Sequence, residues 1–222
     1  MLNVETLEAR LGSFPERYMD NFNYVWRRKV KVETQQGASL LNAKFIEETH
    51  RRLSLILPRW QTYRPFDNTP CLAILKDSLS KIVTAYDQLN KYSLLDFEDA
   101  PAEILETLWH QLGRAKETNG QTNTYGSYSV ISVCKPLLLL WGQTLAFDAN
   151  VRKHLPYKYH IDTYSGNWTL EEWTRVLTLI SRDLRQDKKA IEFINNKSIE
   201  WYGIEAPVPY GRFLDIYYFE GS

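Results

Sequence analysis

Lys135 and Asp148 are the two side chains in this 222-residue chain whose types and setting point to chemistry. Lys135 lies in the middle of an apolar run, Val-Ile-Ser-Val-Cys-Lys-Pro-Leu-Leu-Leu-Leu-Trp, that extends from Val130 to Trp141. An ammonium group there can reach the surface along its aliphatic stem, pair with a buried carboxylate, or give up its proton and serve as an amine nucleophile. Left unpaired among apolar neighbours it costs too much to persist. Asp148 is the carboxylate nearest in sequence, 13 residues on, and a tight return after Gly142 brings it back to the lysine. Asp148 also stands directly before Ala149-Asn150-Val151, where its side chain suits the cap of a new helix. A structural ion pair, a helix cap and a reactive lysine–aspartate pair are all open from these residues.

The elements that must position the pair read as helices. Apolar positions recur with a helical period almost everywhere, and period-2 runs are scarce. The expected fold is therefore all-α: one domain over residues 1–222, a multi-helix bundle around a central apolar helix at about 127–142. Residues 1–60 could form an N-terminal helical lobe. Ser13 and Glu16 have capping-box spacing, as do Thr169 and Glu172. Leu72 to Tyr92 carries one amphipathic stripe, and Pro101 opens a helix to about Arg114. Leu94, Leu95 and Phe97 pin the connector between them, and Gly211 to Phe219 reads as helix or terminal strand. Pro136 follows the lysine directly, an unusual residue for a helix interior.

The order of these residues resembles the core of the helix-hairpin-helix DNA glycosylases: an apolar helix with a lysine, a short turn, then Ala-Phe-Asp-Ala-Asn-Val-Arg. The resemblance covers about thirty residues and implies that Lys135 attacks the sugar C1′ of a flipped nucleotide while Asp148 assists glycosidic cleavage. DNA is then the expected partner. Gly126, Ser127, Asn150 and Arg152 beside the pair, with Arg27, Arg28 and Lys29 at the end of an early helix, are the candidate nucleic-acid contacts. The Gly-rich hairpin that holds a phosphate in that family is reduced here to Gly120 and Gly126. The positions Ser132, Lys135, Phe147, Asp148 and Val151 also resemble uncharacterised bacterial all-α proteins, which implies the fold more than a reaction. The competing expectation is a non-catalytic helical interaction or scaffold protein in which the same pair is structural.

Composition narrows the field. The 27 basic residues balance 27 acidic ones, which argues against broad coating of nucleic acid, and the basic cluster at Arg27–Lys31 equally suits a solvated helix end. The apolar run around Lys135 is too short to span a membrane, and acidic residues near the N-terminus argue against a signal peptide. Cys71 and Cys134 read as buried reduced thiols of a cytoplasmic protein. His154, His160 and Asp162 lack further partners at zinc spacing, so neither metal nor cofactor is expected. Tyr63, Arg64, Tyr157, Tyr159, Tyr164 and Trp168 could rim a stacking site or simply anchor loops. Arg212 and Asp215 are expected to form an ion pair within or between helices.

Overall fold

The computed structural model describes residues 2–63, 72–114, 128–159 and 166–219. The fold is all-α, and among the described residues the one exception is a pair of two-residue strands. Helices α1 (Val4–Ser13), α2 (Glu16–Gln36) and α3 (Ile46–Ile56) come first. They are followed by α4 (Leu72–Lys81), α5 (Val83–Leu89), a 3-10 turn over Leu94–Asp99 and α6 (Ala102–Arg114). Strand β1 (Tyr128–Ser129) leads into the central helix α7 (Val130–Trp141), and the short α8 (Ala149–His154) comes next. Strand β2 (Asn167–Trp168), α9 (Leu170–Gln186), α10 (Lys188–Tyr202) and α11 (Tyr210–Tyr218) complete the fold. Among the described residues no helix is long and apolar enough to cross a membrane.

Helix α7 is buried on all sides, with Ile131 its one residue outside the core. A helix with no polar face must be wrapped, and α2 and α6 pack on it directly. The apolar cluster around it runs from Leu7 in α1 to Tyr218 in α11, so the helices of residues 4–56 share this core. Both ends of α7 are fixed. At its start, β1 pairs antiparallel with β2, and the Val130 N–H donates to Gly166 O at 2.9 Å. At its end, Gly142 turns left-handed at φ 75° and donates its N–H to Leu138 O at 3.0 Å, the usual glycine stop.

Pro136 has no N–H to give, which leaves the carbonyl of Ser132 without its helical donor. The Tyr63 hydroxyl fills that place at 2.9 Å. Burial pushes the Tyr63 phenol well up, so it holds its proton and remains a donor. The proline thus opens a docking point on α7 for the turn that follows α3.

Several sequence expectations change in detail. The central helix begins at Val130 rather than near 127, because Tyr128 and Ser129 pair with β2. Ser13 does not cap α2; its hydroxyl bonds back to Ala9 O inside α1, and Pro15 holds the cap position with no side-chain bond. The stripe from Leu72 breaks at Ile82 into α4 and α5. The segment from Gly211 is helical, as far as Tyr218, with Phe219 its C-cap. Thr169 and Glu172 do form the reciprocal capping box at the start of α9.

Candidate active site

The site is assembled from three stretches that differ in how they are held. Helix α7 supplies Lys135 as part of a rigid, buried rod. The loop from Gly142 to Phe147 supplies Asp148, which caps α8 by accepting the Val151 N–H on Oδ1 at 3.1 Å. Its other oxygen, Oδ2, lies 3.5 Å from Lys135 Nζ. The turn after α3 supplies Trp60, whose carbonyl accepts a hydrogen bond from Lys135 Nζ. Lys135 is 4% exposed, whereas the Asp148 side chain keeps 25% of its surface in contact with solvent.

Left-handed backbone is concentrated in these stretches. Among the described residues the non-glycine positions with positive φ are Gln61, Tyr63 and Phe147, at 59°, 60° and 48°. Gln61 and Tyr63 lie one and three residues after Trp60, in the turn that follows α3, and Phe147 immediately precedes Asp148. Such conformations cost energy in L-residues and persist only where surrounding packing fixes them. The Phe147 ring is fully buried, 4.9 Å from the Trp168 ring, and its carbonyl takes a hydrogen bond from Arg152 Nη1 at 2.8 Å.

Lys135 and Asp148 open onto a pocket of about 310 Å³. Phe14, Tyr18, Trp60 and Phe219 line its aromatic side. Its polar side adds Asn150, Arg152, Arg212 and Asp215 to the pair, so three cations face two carboxylates. Arg212 and Asp215 are joined at 2.8 Å within α11, and both are about 3% exposed. The guanidinium also lies 4.9 Å from the Phe14 ring centre and 5.1 Å from that of Phe22. Burial, with a smaller push from Asp148, raises the Asp215 carboxyl to about 6 even with Arg212 pulling the other way. Burial likewise holds the Arg212 and Arg152 guanidinium groups below their ordinary range.

The other candidate contacts separate. Asn150 and Arg152 line the pocket. Lys29 does not approach it: the residue is 1% exposed, packed against α5, and bonded to Glu33, Tyr86 and Asn90. It is therefore withdrawn as a nucleic-acid contact, because a charge so enclosed cannot meet a phosphate. Arg28 lies over the Phe45 ring, and Arg27 lines a separate groove with Lys31, Trp201 and Tyr202. Gly126 and Ser127 fall outside the described residues, as do Gly120, Arg64, Cys71, His160, Asp162 and Tyr164. His154 Nδ1 is 2.8 Å from Asn150 O, within its own helix. Among the described residues no group of His, Cys, Asp or Glu is arranged to hold a metal ion.

Comparison of the chain with protein-family models, curated proteins and solved structures gives no match. The functional reading therefore rests on the residues themselves.

Two parts of the site escaped the sequence. The Trp60 carbonyl carries no side-chain signature, although Pro136 marks a carbonyl on α7 in need of a donor. Arg212 and Asp215 were legible as an ion pair from their spacing of three, but their place in the same pocket depends on how α11 packs.

Proposed function

We propose that this chain is an enzyme of glycosylase or lyase type, in which Lys135 is the amine nucleophile and Asp148 its proton acceptor and electrostatic partner. One observation supports this most: a buried lysine Nζ lies 3.5 Å from a partly exposed carboxylate in an aromatic-sided pocket of about 310 Å³. That volume is at the small end of ligand sites, which span roughly 300–1,000 Å³. It suits one nucleotide unit rather than several.

On this reading Nζ passes its proton to Asp148 and attacks C1′ of a deoxyribose. On an intact nucleotide the C1′–base bond breaks, and the base leaves with the bonding pair and takes up a proton. On an abasic sugar in its open aldehyde form, addition gives a carbinolamine, which loses water to an imine. Phe14, Tyr18 and Trp60 line the side of the pocket that would take the base, and Arg152 and Asn150 line the side that would meet the sugar-phosphate. Cys134 is a buried free thiol that burial pushes well up, which suits a cytoplasmic setting.

Borohydride trapping tests the reading. Wild-type protein incubated with duplex DNA carrying abasic or oxidised sites is expected to give a covalent adduct mapped to Lys135, and Lys135→Ala none. Absence of adduct across a panel of lesions sinks the lyase reading. The hydrogen bond from Lys135 to Trp60 O favours a second reading, in which the pair ties the turn after α3 to α7 in a non-catalytic interaction protein. In that case Lys135→Ala lowers stability and there is no adduct to lose.

A further inference from the structure

The left-handed step at Phe147, which delivers Asp148 to Lys135, is gripped by α11. Gly211 presses so closely on the loop that an added Cβ would sit 2.4 Å from Gln143 C and Thr144 O, an approach that requires glycine. The Arg212 N–H reaches Gly142 O at 3.2 Å. Asp215 Oδ1 accepts the Ala146 N–H at 2.8 Å, one residue before the left-handed step. Asp215 Oδ2 is held by Arg212 Nη1 at 2.8 Å, and Arg212 Nη2 is anchored on Tyr18 O at 3.1 Å. An ion pair that served α11 alone would need neither the Ala146 bond nor a place in the pocket.

We propose that Asp215 is a positioning residue of this site, acting through the Ala146 N–H to fix the Phe147 turn and so the place of Asp148 against Lys135. The inference rests on reading Lys135 and Asp148 as the reactive pair. The charged groups coupled to Asp215 are Arg212 on its own helix, Asp148 at the cap of α8 and Lys135 on α7. A buried carboxyl raised to about 6 titrates apart from ordinary surface carboxylates, which makes its influence separable.

The test follows backbone amides of the full-length protein by NMR between about pH 5 and about pH 7. The Ala146 amide reports Asp215, and the Val151 amide reports the Asp148 cap. Both resonances are expected to move together with a midpoint near 6. Movement of Ala146 alone, or of neither, overturns the proposal. A variant pair adds a chemical readout. In an Arg212→Met background, which leaves no unpaired cation, Asp215→Asn keeps an acceptor for Ala146 and Asp215→Leu does not. The trapped adduct is expected to persist with Asn and to fall about a hundredfold with Leu, as for a misplaced reacting group. Equal adduct in two folded variants overturns the proposal, and if the Leu variant fails to fold the wild-type titration still decides. Coupled amides without any wild-type adduct leave the positioning intact and remove the proposed reaction. An adduct without coupled amides removes the role of Asp215 alone.

Discussion

Among the described residues two lysines are buried, and their surroundings differ in kind. Lys29 and Lys135 are almost equally hidden, at 1% and 4% exposure. Lys29 lies in a closed polar cluster: its Nζ bonds to Glu33, to Tyr86 Oη at 3.2 Å and to Asn90 Oδ1 at 2.6 Å. Asn90 Nδ2 in turn donates to Glu33 Oε2 at 2.6 Å, and Tyr86 Oη lies 2.8 Å from Glu33 Oε1. Every member has partners, the backbone around it is regular helix, and burial still pulls the Lys29 ammonium below its ordinary range. Lys135 instead donates to the Trp60 carbonyl and faces a carboxylate at 3.5 Å, the length of a loose ion pair, on the wall of a pocket and beside three left-handed residues. The first arrangement pairs all three donors of the ammonium within the helix packing. The second sets a lysine and a partly exposed carboxylate beside open volume, the arrangement that the proposed reaction uses.

Substitutions can break or sharpen that contrast, and the largest expected effect is on chemistry. Lys135→Met is expected to abolish the trapped adduct at a cost of about 1–2 kcal/mol, since it takes a donor from the Trp60 carbonyl while Asp148 keeps contact with solvent. Lys29→Met leaves Glu33 enclosed without its cation. It is expected to cost about 3 kcal/mol, near the low end for a broken buried pair, and to leave any adduct intact. Urea unfolding of the two variants side by side, with trapping of each, measures the difference.

Smaller effects test the supports of the Lys135 site. Tyr63→Phe strands the Ser132 carbonyl that Pro136 leaves free, at an expected cost of about 1–2 kcal/mol by urea unfolding. Asp148→Ala removes both cap and carboxylate and Asp148→Asn only the carboxylate; both take that charge from the buried Lys135 ammonium, so the Ala variant should be the less stable of the two by about 1 kcal/mol. Both should lose the adduct, which separates the cap from the chemistry. The smallest effect concerns pH. The Asp215 carboxyl is raised in the folded state, so its contribution to stability is full below the ordinary carboxylate value and is lost as pH rises through about 6. Relative to Asp215→Asn, the wild type should therefore lose stability between about pH 4 and about pH 6, read from urea midpoints across that range.

Much of this arrangement was legible in the residues, for reasons that differ by region. The central helix is readable because an apolar run interrupted only by Ser132, Lys135 and Pro136 must be buried, and Asp148 because a capping residue announces itself before its helix. The failure at Lys29 is equally instructive. The pattern Arg-Arg-Lys at a helix end looks like a solvated patch, but on a helix one of three consecutive residues turns inward, and Lys29 shares the buried side with Val25, Trp26 and Val32. Its partners Tyr86 and Asn90 are 57 and 61 residues away, beyond any local signal. The same holds for Trp60 and Asp215, whose contributions come through a backbone carbonyl and a backbone N–H.

The most direct measurement is reductive labelling of the folded protein with a small aldehyde and cyanoborohydride, mapped by peptide mass spectrometry at Lys135 and Lys29. An imine forms only where the amine can lose its proton and meet a carbonyl carbon, and the reductant then fixes it as a secondary amine. The expected result is modification at Lys135 with Lys29 unmodified until the protein is unfolded. Protection of Lys135 equal to that of Lys29 would contradict the assignment of a reactive amine to this pocket.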